Sequence, residues 1–429
     1  MTTPSALSAR QVRRNLILGV LNGTLMRVLD TLASPALVLT WFVTQLGGSA
    51  FAVGLLIPIA NGGWFLPQLF MSRMVQPMRF KLPLYRAVSA VRVAIWALMV
   101  GIVFLIGNRN PGLTLMCFLL LYTLFCFGAG ISGLPWLDVV AKAIPLRQRG
   151  SFFGWRDFSG GILAIGASVL VRLALDERRG AHFPLNFGLL FIAAGLAGAA
   201  GYYVFGRITE PEEETDTLSP PVESSHWRAA WRVPLRDSGF RVFLSTRVTL
   251  AAATVALPFY ALYAKERLGA PGEMAGVYSA ALTLALVVST LLWGRLSDRR
   301  GNRVVLQVVS VGQLLLPLLP LLLGRHLSYL SFTAVFALVG IVQSGSDISL
   351  LGMGLELAPP AQRSLYLGML NTTLGVVSFV LILGGWIATR WGLESVFLVS
   401  AALALIAILT VARLPDPRRA QLHQSSTPS

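Results

Sequence analysis

The chain has 429 residues, of which 55% are hydrophobic and only 13% charged, with a mean hydropathy of +0.69. An ordinary soluble domain carries about 25% charge, so this composition excludes a soluble globular protein and calls for one embedded in lipid. The formal net charge of +16 sits in short clusters between apolar runs, not on a face interleaved with exposed aromatics. Nucleic acid is therefore not the expected partner, and the clusters read as topology signals.

The first span follows Arg10, Arg13 and Arg14, and its apolar stretch is too long for a signal-peptide core. Crossing about 30 Å of hydrocarbon takes roughly twenty apolar residues. Runs of that length recur near 16–43, 50–71, 84–107, 112–140, 151–175, 185–206, 241–264, 274–293, 304–323, 328–357, 365–389 and 393–413. The expected fold class is an all-α integral membrane protein with twelve transmembrane helices. The tenth span is long enough to hide a break. Cys117 and Cys126 share one predicted helix and cannot bridge each other there.

Between spans six and seven, a polar stretch from Arg207 to about Phe240 holds Glu210, Glu212, Glu213 and Glu214, two adjacent prolines and scattered serines. It reads as a flexible linker, too short for a domain, which usually needs about fifty residues. The expected division is a six-helix bundle at 1–206, a cytoplasmic linker at 207–240, a second bundle at 241–413 and a cytoplasmic tail at 414–429. Of the basic residues in loops, only Arg109, Arg178, Arg179, Lys265, Arg267, Arg325 and Arg390 fall on one side. The positive-inside rule then puts both termini in the cytoplasm of a multi-pass plasma (inner) membrane protein.

The halves repeat. An offset of 214 superposes Pro145 on Pro359, Arg149 on Arg363, Gly154 on Gly368 and Gly161 on Gly375; upstream, an offset of 222 or 223 brings Pro35 to Pro258, Gly47 to Gly269 and Gly54 to Gly276. Parallel six-span repeats about an axis along the membrane normal are one arrangement used by secondary transporters.

Between spans eight and nine stands Gly294-Arg295-Leu296-Ser297-Asp298-Arg299-Arg300-Gly301-Asn302-Arg303. It resembles the loop signature of the major facilitator superfamily, G-x-x-x-D-R-x-G-x-R. Gly294 and Gly301 permit close helix approach and a tight turn, and Asp298 can accept from a helix N-terminus. Arg299 and Arg303 can pair with a carboxylate at a span end, for which Glu356 is the candidate. The resemblance implies two pseudo-symmetric six-helix bundles and a cytoplasmic latch that holds the outward-open state; a basic turn that only fixes topology is the simpler reading. In the first half the corresponding loop carries Gln76 in place of the acidic residue, with Arg73 in reach of Asp138. Span four lacks arginine and span five lacks a Gly-Pro pair, two signatures associated with proton-linked drug antiporters.

A charge at the centre of a span costs about 2.5–3.5 kcal/mol on insertion scales and usually faces a cavity. In span one, Gly23, Thr24, Arg27, Asp30, Thr31 and Ser34 share one stripe, opposite Leu21, Leu25, Leu29 and Leu32. Asp30 lies about 21 Å along the helix from Leu16, with Arg27 one turn away. A proton-coupling carboxylate and a permanent Arg27–Asp30 structural pair both fit. Gln343 and Asp347 share a stripe in span ten with Gly340 and Gly354. By resemblance, spans one, four, seven and ten line the cavity, so Asp347 is expected to face Asp30. Arg247 in span seven fits a cavity role or snorkelling; Arg92 fits a structural one; Arg156, Asp157 and Asp138 fit a gate network or a substrate contact. Pro35 and Pro258 soften matching positions of spans one and seven.

No His/Cys/Glu metal spacing, Ser-His-Asp order or Walker sequence occurs. The expected function is secondary active transport of a small organic solute by alternating access, coupled to protons, by a monomer in the bilayer without a cofactor or metal. An uncoupled facilitator or a multidrug exporter of the same fold is the alternative, and a non-transporting receptor or scaffold is the reading from another class. An enzyme is not expected.

Overall fold

A computed structural model describes residues 7–75, 78–179, 182–212, 233–324, 326–359 and 363–415. Gln76, Arg325, most of the 207–240 stretch and the tail from 416 lie outside the described residues, as do the side chains of Arg73 and Arg363.

Every long element is a helix. Spans two to six are Ala50–Val75, Leu82–Ile106, Pro111–Ala143, Leu146–Ala174 and Leu185–Phe205. Spans eight to ten are Met274–Arg300, Asn302–Leu323 and Thr333–Leu357, and span twelve is Leu393–Ala412. Eleven helices among the described residues are long and apolar enough to cross a membrane. Span one, which carries Arg10, Arg13, Arg14, Arg27 and Asp30, supplies the twelfth as Ala9–Leu32 continued by Val38–Gln45. Polar residues mark the starts. Ser8 and Gln11 form a reciprocal capping box, Asn110 accepts from Leu113 N just before Pro111, and Asp237 accepts from Gly239 N and Phe240 N.

Spans one and seven break at matched places. The first loses its helix over Ala33–Leu37, around Pro35; the second tightens into a 3-10 turn at Thr254–Ala256 and resumes as Leu257–Arg267, with Pro258 in its first turn. A proline there has no N–H to give the preceding turn. Each broken span ends on a glycine of the repeat in the left-handed conformation, Gly47 at φ 74° and Gly269 at φ 63°, which a side chain would strain. Span ten runs unbroken; its extra length is spent in turns before Thr333, and the interruption falls at Leu381 in span eleven, between Arg363–Val380 and Ile382–Trp391.

The chain forms two compact units, one of residues 1–219 with 258–280, the other of 220–257 with 281–429. In the first, Phe42 packs against Phe118, Phe187 and Phe191 at ring separations of 4.8, 5.4 and 4.9 Å. The 258–280 segment is held by Lys265 Nζ donating to Thr44 Oγ1 (2.6 Å), by Ser168 Oγ donating to Ser279 Oγ (3.0 Å) and by Trp41 against Tyr278. In the second unit, Phe240, Phe243, Leu306, Met353 and Val411 form the core. Ser289 and Ser344 share a 2.6 Å hydrogen bond, and Trp293 Nε1 donates to Ile341 O. Such interhelical bonds average about 0.6 kcal/mol in a membrane protein.

The start of the polar stretch is fastened to the first unit. Asn15 exchanges two hydrogen bonds with the backbone of Thr209, at 2.9 and 3.0 Å. The Glu210 carboxylate accepts from Lys81 N (3.0 Å), Leu82 N (2.9 Å) and Lys142 Nζ (3.3 Å), and Glu212 pairs with Arg79. Residues 207–212 therefore depart from the flexible chain expected there, because span three begins with free N–H groups and Lys81 is a poor cap for them.

Candidate functional site

In the first unit the site grows from the contact between spans one and five. Gly23 has no side chain, and a Cβ there would meet the side chain of Arg156. The guanidinium of Arg156 thereby lies across span one and stacks 4.5 Å above the ring of Trp136 from span four. One turn on, Gly160 leaves room for the stem of Arg27, whose Nη2 lies 3.7 Å from Asp157 Oδ1. Arg27 and Asp157 remain open, with 45% and 69% of their side chains exposed. Thr24 and Ser159 join the same helices through a 2.6 Å hydrogen bond.

Asp30 is exposed, and the charges of Arg27, Arg92 and Arg156 all reach it. Arg27 thus takes its ion pair from span five, and Asp30 forms none among the described residues. Arg27 and Asp30 are neighbours on one face of span one, yet the carboxylate within ion-pair distance of Arg27 is Asp157 on span five. Arg92 is buried; its Nε donates to Phe125 O at 3.2 Å and its guanidinium rests 4.3 Å from the Phe125 ring and 4.8 Å from that of Tyr202. Thr31 is buried, its hydroxyl turned back to Arg27 O at 2.8 Å, and Ser34 is half-buried in the break of span one. Arg156 forms no ion pair among the described residues.

In the second unit Gln343 and Asp347 stand exposed on one face of span ten, and the Asp347 charge acts on Arg247 of span seven. Arg247 is half-buried, with its Nε lacking a hydrogen-bond acceptor. At the loop between spans eight and nine, Gly301 takes φ 88° and turns the chain. Ser297 Oγ donates to Asn302 Oδ1 (2.7 Å), and Asn302 Nδ2 donates to Glu356 Oε1 (2.8 Å). Arg303 Nη2 donates to Ala412 O at the end of span twelve. Gly294 faces open space, and Asp298 and Arg299 are exposed.

Asn302 and Glu356 are thus brought together, whereas Arg303 donates to a carbonyl of span twelve. In the other unit Lys81 Nζ takes Asp138, at 3.2 Å. Sequence reasoning gave no contact to Trp136, Asn302, Lys81 or Glu210, and it placed Asp157 in a gate network or substrate contact without naming Arg27 as its partner. An available signal for Asp157 was the glycine series Gly19, Gly23 and Gly160, which marks the line where spans one and five meet closely.

Residues 242–429 match the family model of the Major Facilitator Superfamily. The multidrug resistance protein MdtG of Klebsiella pneumoniae (strain 342) is 30% identical over 176 residues, and that of Serratia proteamaculans (strain 568) is 31% identical over 175; each match covers 39% of this chain and 41% of the relative. The matches therefore span less than half the length of those relatives. Among solved structures, a D-xylose–proton symporter aligns with a TM-score of 0.70 at 13% identity, covering 95% of this chain and 98% of the other. A bacterial homologue of the iron transporter ferroportin, in its inward-facing state, aligns at 0.68 and 13%, covering 95% and 99%. The fold of these transporters is shared along nearly the whole chain.

Proposed function

We propose, taking as premise that this chain is a Major Facilitator Superfamily protein, that it is a secondary active transporter of a small organic solute. It works by alternating access and exchanges a proton at Asp30. The carrying observation is the Asp30 carboxylate, on a membrane span, with no ion pair among the described residues and within the fields of three arginines. A carboxylate so placed is the group that can bind and release a proton as neighbouring charges move. Arg27, free of a permanent bond to Asp30, supplies a cation whose pairing can change through the cycle. Thr31 and Ser34 shape the break in span one, and Gln343, Asp347 and Arg247 give the second unit its own polar face. The loop Gly294–Arg303 acts as a cytoplasmic latch, with Glu356 held through Asn302. Both termini are cytoplasmic in this reading, the protein sits in the plasma (inner) membrane, and it functions as a monomer.

Metabolite comparison between deletion and overexpression strains identifies the cargo, and proteoliposomes test the coupling. Asp30→Asn is expected to abolish uphill accumulation driven by a pH gradient while sparing downhill exchange of labelled cargo. Arg27 keeps Asp157, so expression should stay near wild type. Accumulation at the wild-type level by well-expressed Asp30→Asn refutes proton coupling at this residue and favours an uncoupled facilitator.

A second reading, export of several drugs, is supported by the relatives matched over 39% of the chain. The lack of an arginine in span four and of a Gly-Pro pair in span five weighs against it. Expression in a drug-sensitive strain separates the two, since an exporter raises tolerance to structurally unrelated compounds. A receptor or scaffold shows no flux in either assay.

A further inference from the structure

The charges borne by spans in the first unit do not balance. Away from the helix ends of spans one, three and five, the described charged residues are Arg27, Arg92 and Arg156 against Asp30 and Asp157; Arg172 lies exposed close to the end of span five. Arginine stays protonated under all ordinary conditions, so these mid-span residues carry one positive charge more than their two carboxylates can neutralise. Arg92 is sealed by two aromatic rings and a backbone carbonyl. Arg27 is half open and only loosely paired with Asp157 at 3.7 Å, and Arg156, stacked on Trp136, feels the charges of Asp157 and Asp30 but forms no ion pair among the described residues. The surplus therefore lies at Arg156, which crosses span one at Gly23, and at Arg27, one turn further along that span.

A guanidinium inside a span is costly without a counter-charge, and its fork of donors matches the paired oxygens of a carboxylate, phosphonate or sulfonate. From this we infer that the transported solute is an organic anion whose charged head binds Arg156 and Arg27, displacing Asp157 from Arg27, with its body against Trp136. This rests on the transport reading above and adds the class of cargo to it. The anionic group of a membrane lipid offers the same chemistry, and the test separates the two sources.

Binding is measured by thermal stabilisation and calorimetry on purified full-length protein in phosphatidylcholine nanodiscs. The probes are 4-phenylbutyrate, 3-phenylpropylphosphonate and 3-phenylpropanesulfonate, with 3-phenylpropylammonium and 4-phenylbutyramide as cationic and neutral counterparts. At least one anion is expected to bind, and the counterparts at least tenfold more weakly. Arg156→Gln and Arg27→Gln should each weaken that anion by about tenfold or more, Arg156→Lys by less, and Arg172→Gln not at all. Asp157→Asn releases Arg27 and should tighten the anion; a merely structural pair would yield lower stability with no gain in affinity.

The inference is overturned if no anion binds, if the ammonium or amide binds as well, or if Asp157→Asn leaves anion affinity unchanged or weaker. Loss of anion binding in nanodiscs containing phosphatidylglycerol assigns the site to lipid and also overturns it. Anion binding without flux of any identified cargo in proteoliposomes sinks the transport reading and leaves the anion site standing. Flux of a neutral or cationic cargo untouched by the anions does the reverse.

Discussion

Replacing Glu210 by glutamine removes one charge and leaves the shape almost unchanged, so its effect isolates the electrostatic fastening of residues 207–212. The Glu210 side chain is only 4% exposed, and it accepts from Lys81 N, Leu82 N and Lys142 Nζ at 2.9–3.3 Å. A hydrogen bond to a charged group contributes about 1.5–3 kcal/mol and a neutral one about 0.5–1.5. Neutralising the acceptor of three such bonds therefore costs roughly 3 kcal/mol. Breaking a buried ion pair gives about 3–5 kcal/mol, and the lower end applies because Lys142 keeps Arg79 O as an acceptor. At about 2–4 °C per kcal/mol for a unit of some two hundred residues, Glu210→Gln should lower the apparent melting temperature of the purified protein by about 6–12 °C. The companion measurement is a double-mutant cycle with Lys142→Met, where the pair should be less destabilised than the sum of the single changes. A shift under about 2 °C, or strict additivity, refutes the reasoning.

Gly23→Val puts a side chain where Arg156 crosses span one. It should abolish transport at matched expression while lowering the melting temperature by only about 1–8 °C, since the stacking lost on Trp136 contributes about 0.5–2 kcal/mol; retained transport would contradict the placement of Arg156. Asn302→Ala deletes the buried bridge between Ser297 and Glu356 and should cost about 1–3 kcal/mol, seen as earlier thermal aggregation. Asn302→Asp should be at least as harmful, because it sets a second carboxylate against Glu356, and wild-type stability of either variant counts against the bridge. For topology, Ser225→Cys in a background lacking Cys117 and Cys126 should resist a membrane-impermeant thiol reagent in intact cells and react after lysis. Labelling of intact cells reverses the proposed orientation.

The spans were legible because hydrocarbon thickness sets a length that apolar runs must match, whatever their detailed packing. The repeat was legible for a related reason. Pro35 with Pro258, and Gly47 with Gly269, constrain the backbone directly, and both pairs mark the same break and the same turn in the structure. Helical periodicity likewise put Gly23, Thr24, Arg27 and Asp30 on one stripe. It could not say which helix lies opposite each residue, and the partner of Arg27 was decided by Asp157 on span five. Thr31, four residues after Arg27, shared the stripe yet spends its hydroxyl on the Arg27 carbonyl. Glu210 was hidden by composition, since a cluster of glutamates with prolines and serines has the statistics of a tether regardless of what its first residues touch.

The fastening at Asn15, Arg79, Lys81 and Lys142 means that the packing of the first unit runs past the end of its sixth span at Phe205. An evolutionary exchange of bundles between related chains, or a laboratory division into two co-expressed polypeptides, cut directly after Phe205 would strip the first bundle of the carboxylate that starts its third helix. The same division made after Glu212 carries that carboxylate along. Insertions should follow the same rule, being tolerated beyond Glu212 and rejected between Gly206 and Glu210.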